Sequence, residues 1–386
     1  MNASAASHCN FSEEVASSAY EHQFTYVRNV FYPVCVLFGS IGNLVSIIVW
    51  QSPKLRRIPS ATHLTALAFY DLSILLLVGL EFSAVFFHLH YLSWNRFICK
   101  GHRFLNYVFF CLSAWSVTVF TIERFIVVYY PLQRAHICTV RKARQITITL
   151  VPIAMVLYSP LLLLFGVECG SCDILMIYDT WAHFFHILDL VVTGVVPCTL
   201  IVLLNALIIR RLIQSRQLSS VHSSASAPVS DGFRRNASRG QRSSDKAATK
   251  VLLVIAACFL VFNIPQFAIR IKVYLTRLSR DYDRWTQLDQ TIEYIAYMLY
   301  MLNFAGDFVM YNASSAHFRS MAKELLLGLF HRRNEVNCSL KERTTATSCY
   351  SFTLPLFTLH SAPMLQPCTV VGRIQRIPSA LATCTD

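Results

Sequence analysis

The sequence predicts an all-α protein, a bundle of seven helices that cross a membrane, with a short amphipathic eighth helix and the amino terminus outside. Three observations indicate this fold class. Only 14% of the 386 residues are charged, against about 25% in typical soluble proteins. Apolar residues make up 54% of the chain and are gathered into seven long runs. The 34 Lys and Arg residues, against 21 Asp and Glu, are crowded between alternate runs.

Each apolar run is long enough to cross a bilayer, because a helix needs about 20 residues to span about 30 Å of hydrocarbon. Soluble core helices rarely reach this length with so few charges, so we interpret all seven runs as membrane spans. In order, spans one to seven cover residues 29–51, 62–88, 104–130, 146–167, 181–209, 251–269 and 294–311.

The loop charges set the orientation, since Lys and Arg favour the cytoplasmic side. Three basic residues lie in 52–61, four in 131–145, nine in 210–250 and eight after 311, whereas the opposite side of the membrane has only nine. Residues 1–28 are therefore expected to be an extracellular segment, with no cleavable signal peptide in it. A nucleic-acid-binding protein would instead carry its basic residues along a soluble fold, so that class is excluded.

The outer segments carry sites typical of an oxidising, glycosylating compartment. Sequons begin at Asn2 and Asn10, and we expect both to be glycosylated. Four cysteines lie on this side, and the pairing that we favour joins Cys99 to Cys169 or Cys172, which stays open, with free thiols as the alternative. That disulfide would tie the start of span three to the loop after span four.

Polar residues inside the spans are costly and need a reason. They form an ordered pattern: Gly42-Asn43, Leu67 to Asp71, Cys99 with Glu123-Arg124-Phe125 about 25 residues later, Pro131, Pro197, Phe259 with Asn263-Ile-Pro265, and Asn303 with Asp307 to Tyr311. Over residues 29–330 this pattern resembles the rhodopsin-like (class A) G-protein-coupled receptors. The resemblance implies a multi-pass receptor of the plasma membrane that is not an enzyme. It also implies a heterotrimeric G protein, arrestin and receptor kinases as partners, with outward movement of helix six as the activating step.

Some positions depart from the pattern of the resembled receptors. Phe125 stands where Tyr is usual, Asn263 replaces Trp, Phe308 replaces Pro and Asn205 replaces Tyr. These departures concern the activation relay and leave the predicted fold unchanged.

The predicted switch for G-protein coupling consists of Glu123, Arg124, Phe125, Asp245 and Tyr311. Arg124 is too costly to leave unpaired near lipid, and Glu123 is its nearest partner. Asp245 lies twenty residues before Pro265, so one continuous helix would place it about 30 Å deeper, at the same inner face. Similar receptors use such a bridge to hold the resting state. The alternative, that Asp245 belongs to a solvated loop, stays open.

A second constellation lies near the middle of the membrane and comprises Asp71, Ser113, Asn303 and Asp307. Two carboxylates at this depth require a cation or a shared proton. The resemblance implies an allosteric sodium ion at these positions, and a protonated pair without an ion is the alternative. No other cofactor is expected.

The outer halves of the spans suggest a ligand pocket with both signs of charge, which suits a peptide. Retinal is excluded because span seven has no Lys, and monoamines are disfavoured because Asn106 stands where amine receptors have Asp. The strings 135–144 and 262–266 resemble invertebrate neuropeptide receptors of the FMRFamide type. With the acidic residues Glu81, Asp189 and Glu293 available for a basic group, an Arg-containing amidated peptide is expected. The predicted ligand residues are Glu81, Arg103, Asn106, Tyr107, Asp189, Gln266, Arg270, Glu293 and Tyr297.

Two other functions stay open: a class A receptor for a non-peptide ligand, and a membrane transporter or channel. A transporter usually needs related halves of the chain, and no internal repeat is visible.

On the inner side, the Ser-rich segment 215–247 is predicted to be a disordered third cytoplasmic loop, and 331–386 a disordered cytoplasmic tail. Phe318, Met321, Leu325 and Leu329 recur at helical spacing, which predicts a short helix on the inner leaflet of the bilayer.

Overall fold

The computed structural model is a bundle of long helices with one small β-hairpin. It describes residues 19–87, 95–168, 171–223, 232–279, 286–316, 318–325 and 327. All of these belong to one compact unit, residues 1–328. The predicted glycosylation sites Asn2 and Asn10, the alternative disulfide partner Cys169 and the tail 331–386 lie outside the described residues.

The helices follow the order of the predicted spans. They are α1 (Ala19–Trp50), α2 (Pro59–Phe86), α3 (Arg96–Tyr129), α4 (Arg134–Ile137), α5 (Val140–Tyr158), α6 (Leu161–Leu164), α7 (Asp179–Asp189), α8 (Val196–Ser223), α9 (Gly232–Ser279), α10 (Gln287–Ala305) and α11 (Asp307–Ser314). A π-helical stretch, Leu190–Val195, joins α7 to α8. In the described parts of the chain, six stretches are helical, long and apolar enough to cross a membrane, and they contain most of spans one to six.

Span seven is divided between α10 and α11, and the break lies at Gly306. A Cβ atom at Gly306 would lie 2.8 Å from the backbone oxygen of Leu302, so the chain needs a glycine at this turn. The helix of span seven is therefore interrupted at Gly306, although Phe308 stands where the resembled receptors have a proline. Neither α10 nor α11 is among the six described stretches that are both long and apolar enough to cross a membrane.

Span four ends earlier than the apolar run predicts. Helix α5 stops at Tyr158, and Phe165 to Val167, predicted as the end of the span, belong to strand β1 (Phe165–Glu168). Pro160 precedes the single turn α6, and a proline cannot continue the hydrogen bonds of α5. Strand β1 pairs antiparallel with β2 (Ser171–Ile174), with Phe165 opposite Ile174.

A disulfide between Cys99 and Cys172 joins this hairpin to the start of α3. It settles the choice between Cys172 and Cys169 for the described part of the chain. The hairpin is thereby held over the outer end of the bundle.

Helix α1 packs closely against two neighbouring helices at Gly39. A Cβ atom at Gly39 would lie 2.6 Å from a Leu75 methyl group and 2.8 Å from the Ala305 Cα, so α1 touches both α2 and α10 there. Many large apolar side chains point outward, for example Phe38 and Val156, which are 74% and 75% exposed. Such exposure is expected where the surrounding solvent is lipid.

At the inner side, residues 318–325 are helical, as the spacing of apolar residues predicts. Phe318 is fully buried, and its ring centroid lies 5.2 Å from that of Trp50 and 5.4 Å from that of Tyr311. Helical backbone of α8 and α9 also extends into 215–247, the segment for which the sequence predicts disorder.

Candidate functional site

A central cavity of about 250 Å³ lies between the outer halves of the spans. It is lined by eight of the nine predicted ligand residues: Glu81, Arg103, Asn106, Tyr107, Asp189, Gln266, Arg270 and Tyr297. Five different spans contribute these side chains. Residues that are up to 216 positions apart in the chain therefore line the same cavity. The spacing of these residues along the sequence does not by itself show that they meet.

The ninth predicted ligand residue, Glu293, lines a neighbouring outer cavity of about 180 Å³. His183 lines the same outer cavity, whereas His186 and Arg270 line both. Arg270 thus stands at the boundary between two adjacent spaces.

The charged side chains of the central cavity are paired with one another. Arg103 Nη2 lies 3.0 Å from Glu81 Oε1, and Arg270 Nη2 lies 2.5 Å from Asp189 Oδ2. The Arg103 guanidinium also lies 5.9 Å from the ring centroid of Phe165 in the hairpin. The two acidic groups, which the sequence suggested for a basic ligand, already have cationic partners within the protein.

Asp189 is the most completely bonded of these groups. It is the last residue of α7, and its side chain is 5% exposed. Its Oδ1 accepts hydrogen bonds from the Tyr158 hydroxyl at 2.7 Å and from the Thr193 hydroxyl at 2.9 Å. The π-helical stretch that follows places Thr193 on the same side as Asp189, and such wide turns occur often at functional sites.

An ion pair between Lys272 and Asp289 joins the outer end of α9 to the outer end of α10. Asp289 also forms a capping box with Thr286, whose backbone N–H donates to the carboxylate at 3.1 Å. The hydrogen bond from Lys272 and that from the Thr286 backbone hold the pKa of Asp289 below its usual value. The Thr286-x-x-Asp289 spacing was the sequence signal for this cap, and it was not used.

At the inner face, Arg124 is buried and bound to two partners. Its Nη2 donates to Glu123 Oε1 at 2.6 Å and also to the Ser60 hydroxyl. Ser60 donates in turn to Glu123 Oε1 at 3.1 Å. The predicted partner Asp245 lies on α9, but its side chain is outside the described residues.

His63 belongs to the same inner network, although the sequence reasoning missed it. Its Nε2 lies 3.4 Å from Glu123 Oε2, and its Nδ1 lies 3.3 Å from the Thr147 hydroxyl. The available sequence signal was a histidine at the inner end of an apolar run, and the structure buries its side chain. The network ties α2, α3 and α5 together beside Arg124.

Two further predicted switch residues, Phe125 and Tyr311, do not touch Arg124 in any contact that the structure describes. Phe125 stacks on Tyr129, with ring centroids 4.5 Å apart. The Tyr311 hydroxyl donates to Asp307 Oδ2 at 2.8 Å, so Tyr311 joins the mid-membrane constellation.

The mid-membrane constellation is compact and buried. Ser113 donates to Asp71 Oδ1 at 2.6 Å, and the carboxyl groups of Asp71 and Asp307 contact each other. Asp71, Asp307 and Asn303 are 1%, 3% and 6% exposed. Oxygen ligands of this kind suit a hard cation, and the same contact between carboxyl groups also fits a shared proton.

Comparison with known proteins gives the family. The family "7 transmembrane receptor (rhodopsin family)" matches residues 42–305. The thyrotropin-releasing hormone receptor of Ovis aries is 27% identical over 316 residues, which cover 76% of this chain and 75% of that receptor. The growth hormone secretagogue receptor type 1 of Sus scrofa is 21% identical over 310 residues, or 75% of this chain and 77% of that receptor. The rhodopsin of Loligo forbesii is 25% identical over 118 residues, or 31% and 26% of the two chains. The narrower resemblance to FMRFamide-type receptors is not tested by these matches.

Proposed function

We propose, from the premise that the chain belongs to the rhodopsin family of seven-transmembrane receptors, that it binds an extracellular peptide and activates a heterotrimeric G protein. Membership of this family makes the protein a multi-pass receptor of the plasma membrane and not an enzyme. Two relatives that align over three quarters of the chain are receptors for peptide hormones. A peptide ligand is the function that these matches favour.

The observation that carries the proposal is the convergence of eight polar or charged side chains on the central cavity. Pockets that enclose a whole drug-sized ligand measure about 300–1,000 Å³. The central cavity, at about 250 Å³, is smaller and suits one or two residues of a longer ligand. The rest of the peptide would lie over the β1–β2 hairpin and the outer cavity.

The effect of ligand binding is transmitted to the inner face by helix α9. This helix carries Arg270 at the central cavity and continues to the cytoplasmic side. Asp189 holds Arg270 in the resting arrangement, so a ligand that shifts Arg270 biases the position of α9. Outward movement of α9 opens a cytoplasmic cleft, in which Arg124 leaves Glu123 and Ser60 and binds the G protein. Receptor kinases and arrestin would then act on the serines of segment 215–247.

A sodium ion fits the mid-membrane constellation. Asp71, Asp307, Ser113 and Asn303 would hold it through their oxygen atoms, and the ion would supply positive charge between two buried carboxylates. These four residues then keep α2, α3 and the α10–α11 break together. A ligand-bound state that separates them would expel the ion.

A screen in transfected cells tests the proposed function. Cells expressing the receptor are exposed to a library of amidated neuropeptides, and intracellular calcium and cAMP are recorded. A response to a peptide, absent in untransfected cells, is expected. A response only to lipids or nucleotides would favour a non-peptide ligand, and solute uptake or ion current without G-protein coupling would favour a transporter or channel.

A further inference from the structure

We infer that the group which enters the central cavity is uncharged and carries two hydrogen-bond donors and one acceptor, as a primary carboxamide does. This inference rests on the proposed function, since it specifies the ligand of the same cavity. It departs from the expectation of an Arg-containing ligand group. Three features of the cavity wall lead to it.

The first feature is that the four charged side chains of the cavity neutralise each other. Glu81 faces Arg103 and Asp189 faces Arg270, at 3.0 and 2.5 Å. A ligand cation would have to displace an arginine from its carboxylate, and a ligand anion would have to displace a carboxylate. Breaking either contact leaves a poorly solvated charge behind, which is strongly unfavourable. A neutral group enters without breaking either pair.

The second feature is an open acceptor on Asn106, which is 6% exposed. His102 Nε2 lies 3.1 Å from the backbone oxygen of Leu77, a contact that requires the proton on Nε2. In the neutral imidazole Nδ1 then has no proton and accepts from Asn106 Nδ2, at 3.3 Å. This contact fixes the orientation of the amide. Asn106 Oδ1 therefore remains buried, with no donor from the described part of the chain.

The third feature is a pair of further buried atoms without hydrogen bonds. Within the described residues, neither the acceptor Gln266 Oε1 nor the donor Arg103 Nε has a partner. Both side chains line the cavity together with Asn106. Each of these atoms, like Asn106 Oδ1, is almost inaccessible in this arrangement, so a bound group reaches it only when the side chain turns toward the cavity. Pairing the atom then gains affinity, because a buried atom left unpaired is unfavourable.

The three open atoms, two acceptors and one donor, define the chemistry of the bound group. A primary carboxamide offers two N–H donors and one carbonyl acceptor. A carboxylate has no donor, and an ammonium has no acceptor. The carboxamide has two sources, the amidated carboxyl terminus of a peptide or the side chain of Asn or Gln.

The test uses the full-length receptor, purified and placed in lipid nanodiscs, with three synthetic probe pools. The first pool contains N-acetyl dipeptide amides without Asn or Gln, and the second contains the same dipeptides as free acids. The third contains free acids with Asn or Gln at one position. The concentration that gives half of the maximal thermal shift is measured for each pool.

We expect the first or the third pool to act at a concentration at least about tenfold lower than the second, because the carboxylate leaves both acceptors unpaired. A preference for the first pool assigns a terminal amide, and a preference for the third assigns a side chain. Equal potency of all three pools, or no shift from any of them, overturns the inference. A thermal shift without any G-protein response leaves the inference standing and counts against the proposed function.

Variants locate the effect in the cavity. Gln266→Leu removes one open acceptor at similar size, and we expect the carboxamide preference to fall to less than about threefold. Ile264→Ala is the matched control, because Ile264 lies on the same helix and is 51% exposed on the lipid side. Its preference should equal that of the wild type. An undiminished preference in Gln266→Leu would contradict the assignment, and the wild-type comparison still decides if that variant does not fold.

Discussion

Arg270 donates to Asp189 across 2.5 Å, from α9 to the end of α7, in the wall of the central cavity. The carboxylate is nearly inaccessible, whereas the Arg270 side chain is 27% exposed. This contact joins the end of α7 to α9, the long helix that carries Arg270 at the central cavity and continues toward the other end of the bundle. Several consequences can be measured.

Arg270→Ala should lower the stability of the receptor by about 2–5 kcal/mol, because it leaves Asp189 buried without its cation. The double variant Asp189→Asn/Arg270→Gln should recover part of this loss, since no charge is then left alone. Thermal unfolding in nanodiscs measures both. Lys54→Ala is the control, because the Lys54–Glu324 ion pair is 72% and 55% exposed and should contribute less than about 1 kcal/mol. Equal losses for Arg270→Ala and Lys54→Ala would show that the buried pair has no special role.

Glu123→Gln should raise ligand-independent G-protein signalling about tenfold, because hydrogen bonds to a charged group contribute about 1.5–3 kcal/mol to holding Arg124. Ser60→Ala should raise it less, since the Glu123 contact remains. Ser73→Ala is the control on α2, the helix of Ser60, because among the described residues its hydroxyl donates to the backbone oxygen of Phe69, away from Arg124. Basal signalling of Glu123→Gln at the wild-type level would contradict the inner switch.

Asp245→Ala addresses the second bridge that the sequence suggests. An increase in basal signalling would support a contact between Asp245 and Arg124 across α3 and α9. An unchanged level would leave Glu123 and Ser60 as the partners that hold the resting state.

Asn205→Leu should stabilise the resting receptor. Asn205 is 8% exposed, and neither atom of its amide has a hydrogen bond within the described chain. An apolar residue of similar size removes two unsatisfied groups, which is a gain of about 1–3 kcal/mol. Asn43→Leu should have the opposite effect, because Asn43 donates to Phe304 at 2.9 Å. Unfolding temperatures of the two variants that move in the same direction would refute this explanation.

Replacing choline by sodium should raise the unfolding temperature of the receptor by a few degrees, since an ion bound only to the folded state stabilises it. Asp71→Asn should abolish the effect. Ser116→Ala should preserve it, because in the described part of the chain the Ser116 hydroxyl donates to the backbone oxygen of Leu112 in its own helix. Insensitivity of the wild type to sodium would favour the shared proton between Asp71 and Asp307.

Much of the fold follows from the sequence because span length and charge asymmetry are properties of the chain alone. The seven runs and their order agree with the helices. The break at Gly306 and the early end of α5 were not predicted, since a run of apolar letters does not show where backbone hydrogen bonds stop. Phe165 is buried in the hairpin and Val167 is half-buried there, so apolar residues suit these positions in a strand as well as in a span.

The candidate site was harder to predict. Spacing indicated which side chains lie at the outer ends of the spans, but not which charges face each other. The sequence therefore suggested that Glu81 and Asp189 await a basic ligand, whereas each faces an arginine of the protein. His63 was missed because its partner Glu123 lies on another helix.

The central claim, that a peptide in the central cavity drives G-protein activation, is tested most directly by nucleotide exchange with purified components. The receptor in nanodiscs is mixed with a purified heterotrimeric G protein, and GTPγS uptake is measured with and without the amidated peptide library. We expect faster uptake with peptide, a weaker response in Gln266→Leu and a wild-type response in Ile264→Ala. Uptake that no peptide accelerates, or that is equal in all three receptors, would contradict it.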